Sequence, residues 1–285
     1  MCRWLAYSGP AINLSKLLTR PSHSLIDQSR NARENVETTN GDGFGVGWYG
    51  DGSTAGLYHS TRPAWNDTNL RSVAGHIRSP LFFAHVRAAS GTPVQETNCH
   101  PFHYDGWLFM HNGSIPEFGR IKRKLMMKIS PELFPAVKGS TDSEVIFYLA
   151  LTFGLRDDAP TALEETVDYL ERVRQKEKIE QPLRFTAAVS DGQRLIAVRY
   201  STHGQSRTLY HSRHIHALRE LDGGYDELPD GATVVVSEPL DNLAEHWAVV
   251  PESTLLIVER GLVVTSVFEP GQKELGGYRR ASLKV

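Results

Sequence analysis

Two hydrophobic periodicities alternate in blocks along this chain, and their order limits the folds open to it. Short apolar, β-prone runs come first, at residues 3–7, 44–49, 81–87 and 107–111. Helical patterns follow at 116–129, 143–153 and 161–175; in the last, Leu163, Val167, Leu170 and Val173 share one face. β-prone runs then resume at 185–189, 195–200, 233–237, 255–258 and 262–267. Strands grouped before and after a run of helices predict an α+β layered fold, with sheets packed together and helices covering them. No internal repeat or low-complexity linker divides the chain, so residues 1–285 are expected to form one domain. The stretch 201–230, richer in Gly, His and charge, is expected to be a loop or hairpin excursion.

A chain of 285 residues can bury a substantial core without disulfides. Its net charge of −2 leaves no electrostatic footprint for nucleic acid or an anionic membrane, and neither partner is expected. The opening residues lack a secretory apolar region, and no stretch reaches the roughly 18 apolar residues of a spanning helix. Two cysteines without a repeating pattern fit a reducing compartment, so a cytoplasmic location is expected.

One of those cysteines is Cys2. Removal of Met1, favoured by the small second residue, would leave a thiol and a free α-amine on one residue. Both titrate near neutrality, at roughly 8.5 and 8, so the residue would carry a nucleophile beside its own base. A cysteine at position 2 also occurs in chains where it has no catalytic meaning.

Four further segments end on polar groups suited to a small zwitterion. In 40–50 a literal GxGxxG runs from Gly45 to Gly50, but a turn follows it rather than a helix, which excludes a dinucleotide fingerprint. Its glycines are expected to allow close packing beside the strand that carries Cys2, with Asp42 shaping the turn. In 82–91 an apolar strand delivers Arg87, able to hold a carboxylate bidentately or to form a structural ion pair. In 109–114 the end of a strand offers Asn112 and the Gly113 N–H as an oxyanion hole, or a simple turn. In 139–146 a helix begins with Thr141 or Asp142 near its N-cap, and Asp142 either caps the helix or meets a ligand ammonium.

Taken together, Met-Cys, Asn-Gly-Asp-Gly-Phe-Gly, His-Val-Arg, Asn-Cys-His-Pro-Phe, His-Asn-Gly and Ser-Thr-Asp-Ser-Glu resemble the class II glutamine amidotransferases, which are N-terminal nucleophile hydrolases. With Ser237-Glu238-Pro239-Leu240 and 247–251 included, the resemblance runs nearly end to end. It is nearest to stand-alone members: the amidotransferase-like subunit of the fungal glutathione-degrading complex and the γ-glutamyl hydrolase of ergothioneine synthesis. The resemblance implies a four-layer αββα sandwich of two packed antiparallel sheets. It implies Cys2 as nucleophile, Asn112 and Gly113 as the oxyanion hole, Arg87 as clamp for the glutamyl α-carboxylate and Asp142 as receiver of the α-ammonium. Ser90 falls where an amino-sugar synthase member has a ligand-contacting hydroxyl. Gly91 departs from that synthase, which has a histidine there.

These roles imply hydrolysis of a γ-glutamyl amide bond in glutathione, glutamine or a related compound, with no cofactor and no metal. The alternatives are a glutaminase subunit feeding ammonia to a separate synthase, and a non-catalytic module that binds γ-glutamyl metabolites. A partner peptidase or synthase subunit fits the first two readings. The HxxHxH cluster of His211, His214 and His216 is expected to be exposed loop rather than a metal site. Cys99 is expected to be a buried or supporting thiol rather than the nucleophile.

Overall fold

A computed structural model describes residues 2–34, 38–50, 54–89, 91–213 and 228–271. Strand β1 (Arg3–Asn13) leads into helices α1 (Ser15–Leu18) and α2 (Leu25–Arg30), then β2 (Phe44–Tyr49), β3 (Ala55–Ser60), α3 (Thr68–His76) and β4 (Arg78–Val86). The middle of the chain forms β5 (Phe102–Tyr104), β6 (Trp107–Ser114), α4 (Phe118–Met126), α5 (Asp142–Thr152) and α6 (Ala159–Lys176). The remainder gives β7 (Arg184–Ser190), β8 (Leu195–Ser201), β9 (Tyr210–Ser212), β10 (Thr233–Val236), β11 (Trp247–Val249), β12 (Thr254–Glu259) and β13 (Leu262–Val267).

Among the described residues these strands make two antiparallel sheets. One runs β11-β9-β10-β1-β4-β2-β3, the other β13-β12-β8-β7-β6-β5. Strand β1 lies inside the first sheet, with Leu5 opposite Val236 of β10 and Ala84 of β4. Its side chains alternate between two buried environments. Trp4 and Ala6 pack with Leu108 and Met110 of the other sheet, while Leu5 and Tyr7 pack beneath α1 and α2 with Leu17 and Leu25. This double burial is why the strand reads as a continuous apolar run instead of alternating with polar residues. On the far side, Phe109 and Phe185 of the second sheet pack against Phe147 of α5 and Val167 of α6. The layers are therefore helix, sheet, sheet, helix, as the resemblance implied.

The helix boundaries differ modestly from expectation. The pattern at 116–129 forms only Phe118–Met126, because Glu117 takes a left-handed conformation at φ +50° that cannot continue a helix backwards. The pattern at 161–175 extends to Ala159–Lys176, starting at an Asp158 cap that accepts from the Thr161 N–H. Helices α1, α2 and α3 and strands β3, β5, β9 and β11 were not expected. All but α3 are six residues or shorter. The 201–230 excursion contains β9, which pairs with β10 and β11.

Candidate active site

The start of β1 and the ends of β4 and β6 meet at one edge of the sandwich. They open a cleft of about 220 Å³ lined by Cys2, Arg87, Asn112, Gly113 and Asp142. This is smaller than the ~300–1,000 Å³ typical of drug-sized ligand sites and suits a group of amino-acid size.

Cys2 immediately precedes β1. Its thiol lies 3.4 Å from the Ala88 N–H and 3.6 Å from the Ala88 carbonyl, just beyond the end of β4. Burial pushes the thiol pKa up, opposed by the Ala88 amide and by the positive charges of Arg87 and Arg3. The Cys2 carbonyl accepts from Asn112 Nδ2 and from Arg3 Nη1, each at 2.9 Å.

Arg87 is 3% exposed, yet among the described residues no carboxylate lies within ion-pair distance of it. Its guanidinium donates to the Thr92 hydroxyl at 2.6 Å and weakly to the Asp42 carbonyl at 3.3 Å. The alternative of a structural ion pair is thus not what these residues form. Buried arginine is rare without a paired anion, so the cleft presents an electropositive wall that a ligand carboxylate would complete.

Asp42 braces this wall. Its carboxylate accepts from the Ala89 N–H at 2.8 Å, and its own N–H donates to the Arg87 carbonyl at 2.9 Å. The sequence reading gave Asp42 only a turn. Its distance of 45 residues from Arg87 left no local signal for this pairing.

Asp142 is the first residue of α5, and the cap is Thr141, whose hydroxyl accepts from the Glu144 N–H. The Asp142 carboxylate takes the Ile115 N–H on one oxygen and the Ser143 N–H on the other, both at 2.8 Å. It therefore faces the cleft as an anion held by backbone donors. Behind it His111 joins Ser143 Oγ at Nδ1 and the Arg184 carbonyl at Nε2. Since a carbonyl only accepts, Nε2 carries the proton, and in the neutral ring Nδ1 accepts from the Ser143 hydroxyl, whose oxygen also lies 3.4 Å from Asp142 Oδ1. Burial lowers the His111 pKa, with Asp142 pulling the other way.

Gly113 must be glycine on steric grounds, because a Cβ there would fall 1.9 Å from the Arg184 carbonyl oxygen on β7. Gly45 and Gly47 are required for a different contact from the one expected. Their strand β2 pairs with β3 and β4, one strand removed from β1, and a Cβ at either would strike the His100-Pro101 segment. That segment delivers His100 to the cleft wall, stacked on His85 at 4.2 Å between centroids. Burial drives the His100 pKa well below its ordinary value and brings His85 down to about 3, so both rings are neutral near pH 7. The sequence reading missed His100 as a lining residue.

Ser90 lies outside the described residues. Gly91 has φ +73°, a conformation that disfavours any other residue there. Cys99 is 1% exposed, directs its sulfur to the Ser60 and Gln95 carbonyls, and lines a separate cavity; burial pushes its thiol up to about 11. His211 is half-buried in β9, where its backbone pairs with Val235 and Ala248, while His214 and His216 lie outside the described residues. Among the described residues no group of His, Cys, Asp and Glu is arranged to hold a metal, and no helix is long and apolar enough to cross a membrane.

Comparison with known proteins places the chain. Residues 15–276 match the family described as glutamine amidotransferases class-II. The chain is 35% identical over 300 residues to the probable glutamine amidotransferase DUG3 of Saccharomyces cerevisiae, covering 93% of this chain and 83% of the relative. It is 28% identical over 268 residues to the γ-glutamyl-hercynylcysteine sulfoxide hydrolase of Mycolicibacterium smegmatis, covering 93% and 99%. The solved structure of a glutamine aminotransferase class-II domain protein from Silicibacter pomeroyi superposes with TM-score 0.73 at 32% identity, over 95% of this chain and all of that one. The chain belongs to the class II glutamine amidotransferases.

Proposed function

We propose that this class II amidotransferase is a γ-glutamyl amide hydrolase, working through a γ-glutamyl thioester on Cys2 with Met1 removed. The observation that carries the reading is the buried Arg87 guanidinium, unpaired by any carboxylate among the described residues, in a cleft shared with Cys2 and the Asp142 carboxylate. One cation and one anion flanking a nucleophile match the α-carboxylate and α-ammonium of a glutamyl group. The name of the mycolicibacterial relative supports a γ-glutamyl compound as substrate.

In this mechanism the Cys2 thiolate attacks the γ-carbonyl carbon, and the carbonyl π electrons move onto oxygen. Asn112 Nδ2 and the Gly113 N–H stabilise that oxyanion. Collapse breaks the C–N bond, and the α-ammonium of Cys2, directly or through water, gives the leaving amine its proton. Water then attacks the thioester carbonyl, the C–S bond breaks, and glutamate leaves with the Cys2 thiol restored. Near neutrality the neutral His100 ring adds no charge to the cleft wall.

The test is glutamate release by protein shown by mass to begin at Cys2, offered glutamine, glutathione and γ-glutamylcysteine, with Cys2→Ala as control. Cys2-dependent release from a γ-glutamyl peptide well above release from glutamine supports the hydrolase. Release confined to glutamine and stimulated by an added synthase supports the ammonia-delivering subunit. Ligand binding with no release from any compound supports the non-catalytic module.

A further inference from the structure

We infer that Glu238, acting through Arg3, is a positioning residue that fixes the orientation of Cys2. The inference rests on the reading of Cys2 as nucleophile.

Glu238 is 2% exposed, and its carboxylate is fully engaged. Oε2 accepts from Arg3 Nε at 2.6 Å and from the Glu34 N–H at 3.2 Å. Oε1 accepts from His23 Nε2 at 2.6 Å and from the Arg33 N–H at 2.9 Å. A carboxylate has about four acceptor sites, and four donors fill them here. Burial alone would raise this carboxyl, but the His23 bond, the Arg3 charge and the Arg33 N–H outweigh it and hold the pKa at about 2. Glu238 therefore has no capacity left to act as a base or to receive a substrate group. What remains to it is to hold its partners in place.

The partner that matters is Arg3. A guanidinium is a rigid plane, so gripping Nε fixes where the other nitrogens point. With Nε on Glu238, Nη1 turns back to the Cys2 carbonyl at 2.9 Å. That bond holds the plane of the Cys2–Arg3 peptide and so places the Cys2 Cα from which the thiol and α-amine project. The neighbouring Ser237 secures the next residue, accepting from the Trp4 N–H at 2.9 Å and donating its own N–H to the Trp4 carbonyl at 3.0 Å. Residues 237 and 238 thus pin the first two residues of β1 from a strand end more than two hundred residues away in sequence.

Arg3→Lys and Glu238→Gln test this. A lysine at position 3 can meet Glu238 but cannot also reach the Cys2 carbonyl with the same geometry, so it separates positioning from ion pairing. The readouts are kcat and KM per folded protein, thermal midpoint, and the pH profile of Cys2 alkylation by iodoacetamide, which needs no substrate. The expected result for Arg3→Lys is a kcat lowered roughly 10- to 100-fold, in line with the sensitivity of catalysis to ångström-scale misplacement. KM should stay within about two-fold and the thermal midpoint near wild type, with a displaced alkylation profile. Glu238→Gln should show the same kinetic pattern with a lower midpoint. Wild-type kcat per folded protein with a superimposable alkylation profile in Arg3→Lys overturns the inference and leaves Glu238 a purely structural anchor. Full activity of Cys2→Ala would instead refute the nucleophile assignment, whatever the two variants do.

Discussion

Asn112 Nδ2 donates to the Cys2 carbonyl across 2.9 Å, tying the end of β6 in one sheet to the residue before β1 in the other. A carboxamide has two N–H groups, so one can hold the Cys2 backbone while the second is left, in the proposed mechanism, for an oxyanion. Asn112→Ala is therefore expected to lower kcat roughly 100- to 1,000-fold with a small change in KM, as loss of one oxyanion donor does elsewhere. Steady-state kinetics on the best γ-glutamyl substrate check this. A KM effect with kcat intact would assign Asn112 to binding instead.

Arg87→Gln is expected to lower kcat/KM by roughly 30-fold to several thousand-fold, the scale of removing one partner of a buried charge pair. The sharper check uses a substrate analogue whose α-carboxylate is replaced by hydrogen. Wild type should discriminate strongly against it, and Arg87→Gln should discriminate little. Equal discrimination by both proteins would place the α-carboxylate elsewhere.

Cys99→Ser should retain activity within about two-fold, because the Cys99 sulfur faces the Ser60 and Gln95 carbonyls, away from the cleft. Cys2→Ala should retain none. Parallel assays of the two variants decide which thiol the chemistry uses.

Acid should destabilise the fold in two stages. His85, lowered by burial and by Arg87 to about 3, refuses a proton that the unfolded chain takes up near pH 6.5. Between those values the unfolded state binds more protons, so stability falls as pH falls, by ~1.4 kcal/mol per pH unit for each such histidine. His100, His111 and His59 are shifted in the same direction by burial and steepen the slope. Glu238 adds to the loss as pH drops from about 4.5 towards its folded value of about 2. Urea midpoints should be level from pH 8 to 7 and decline below about 6.5. A flat profile from pH 7 to 5 would contradict the neutral buried histidines.

The parts of this molecule written locally were legible before the structure. Cys2, Arg87, Asn112, Gly113 and Asp142 each border an apolar run, a weak signal singly that the motifs strengthened jointly, and the fold brings all five to one cleft. The doubly buried strands announced themselves as unbroken apolar segments. What the sequence hid was either too short or too distant. The four residues of α1 and the three of β5 span little more than one hydrophobic period, too few repeats to establish a pattern. The pairing of Asp42 with the Ala89 N–H and of Glu238 with Arg3 depends on contacts across 47 and 235 residues, which no local pattern encodes. His100 stood in the sequence only as a member of the Asn-Cys-His-Pro-Phe motif, and the close approach permitted by Gly45 accompanies its place in the cleft wall.

The most direct test of the central claim is intact-mass analysis of protein beginning at Cys2, acid-quenched during turnover of a γ-glutamyl peptide and then digested to locate any adduct. The account predicts a transient γ-glutamyl thioester on the Cys2 peptide, absent in Cys2→Ala, with none on Cys99. Glutamate release that continues undiminished in Cys2→Ala, with no acyl adduct at any residue, would contradict it.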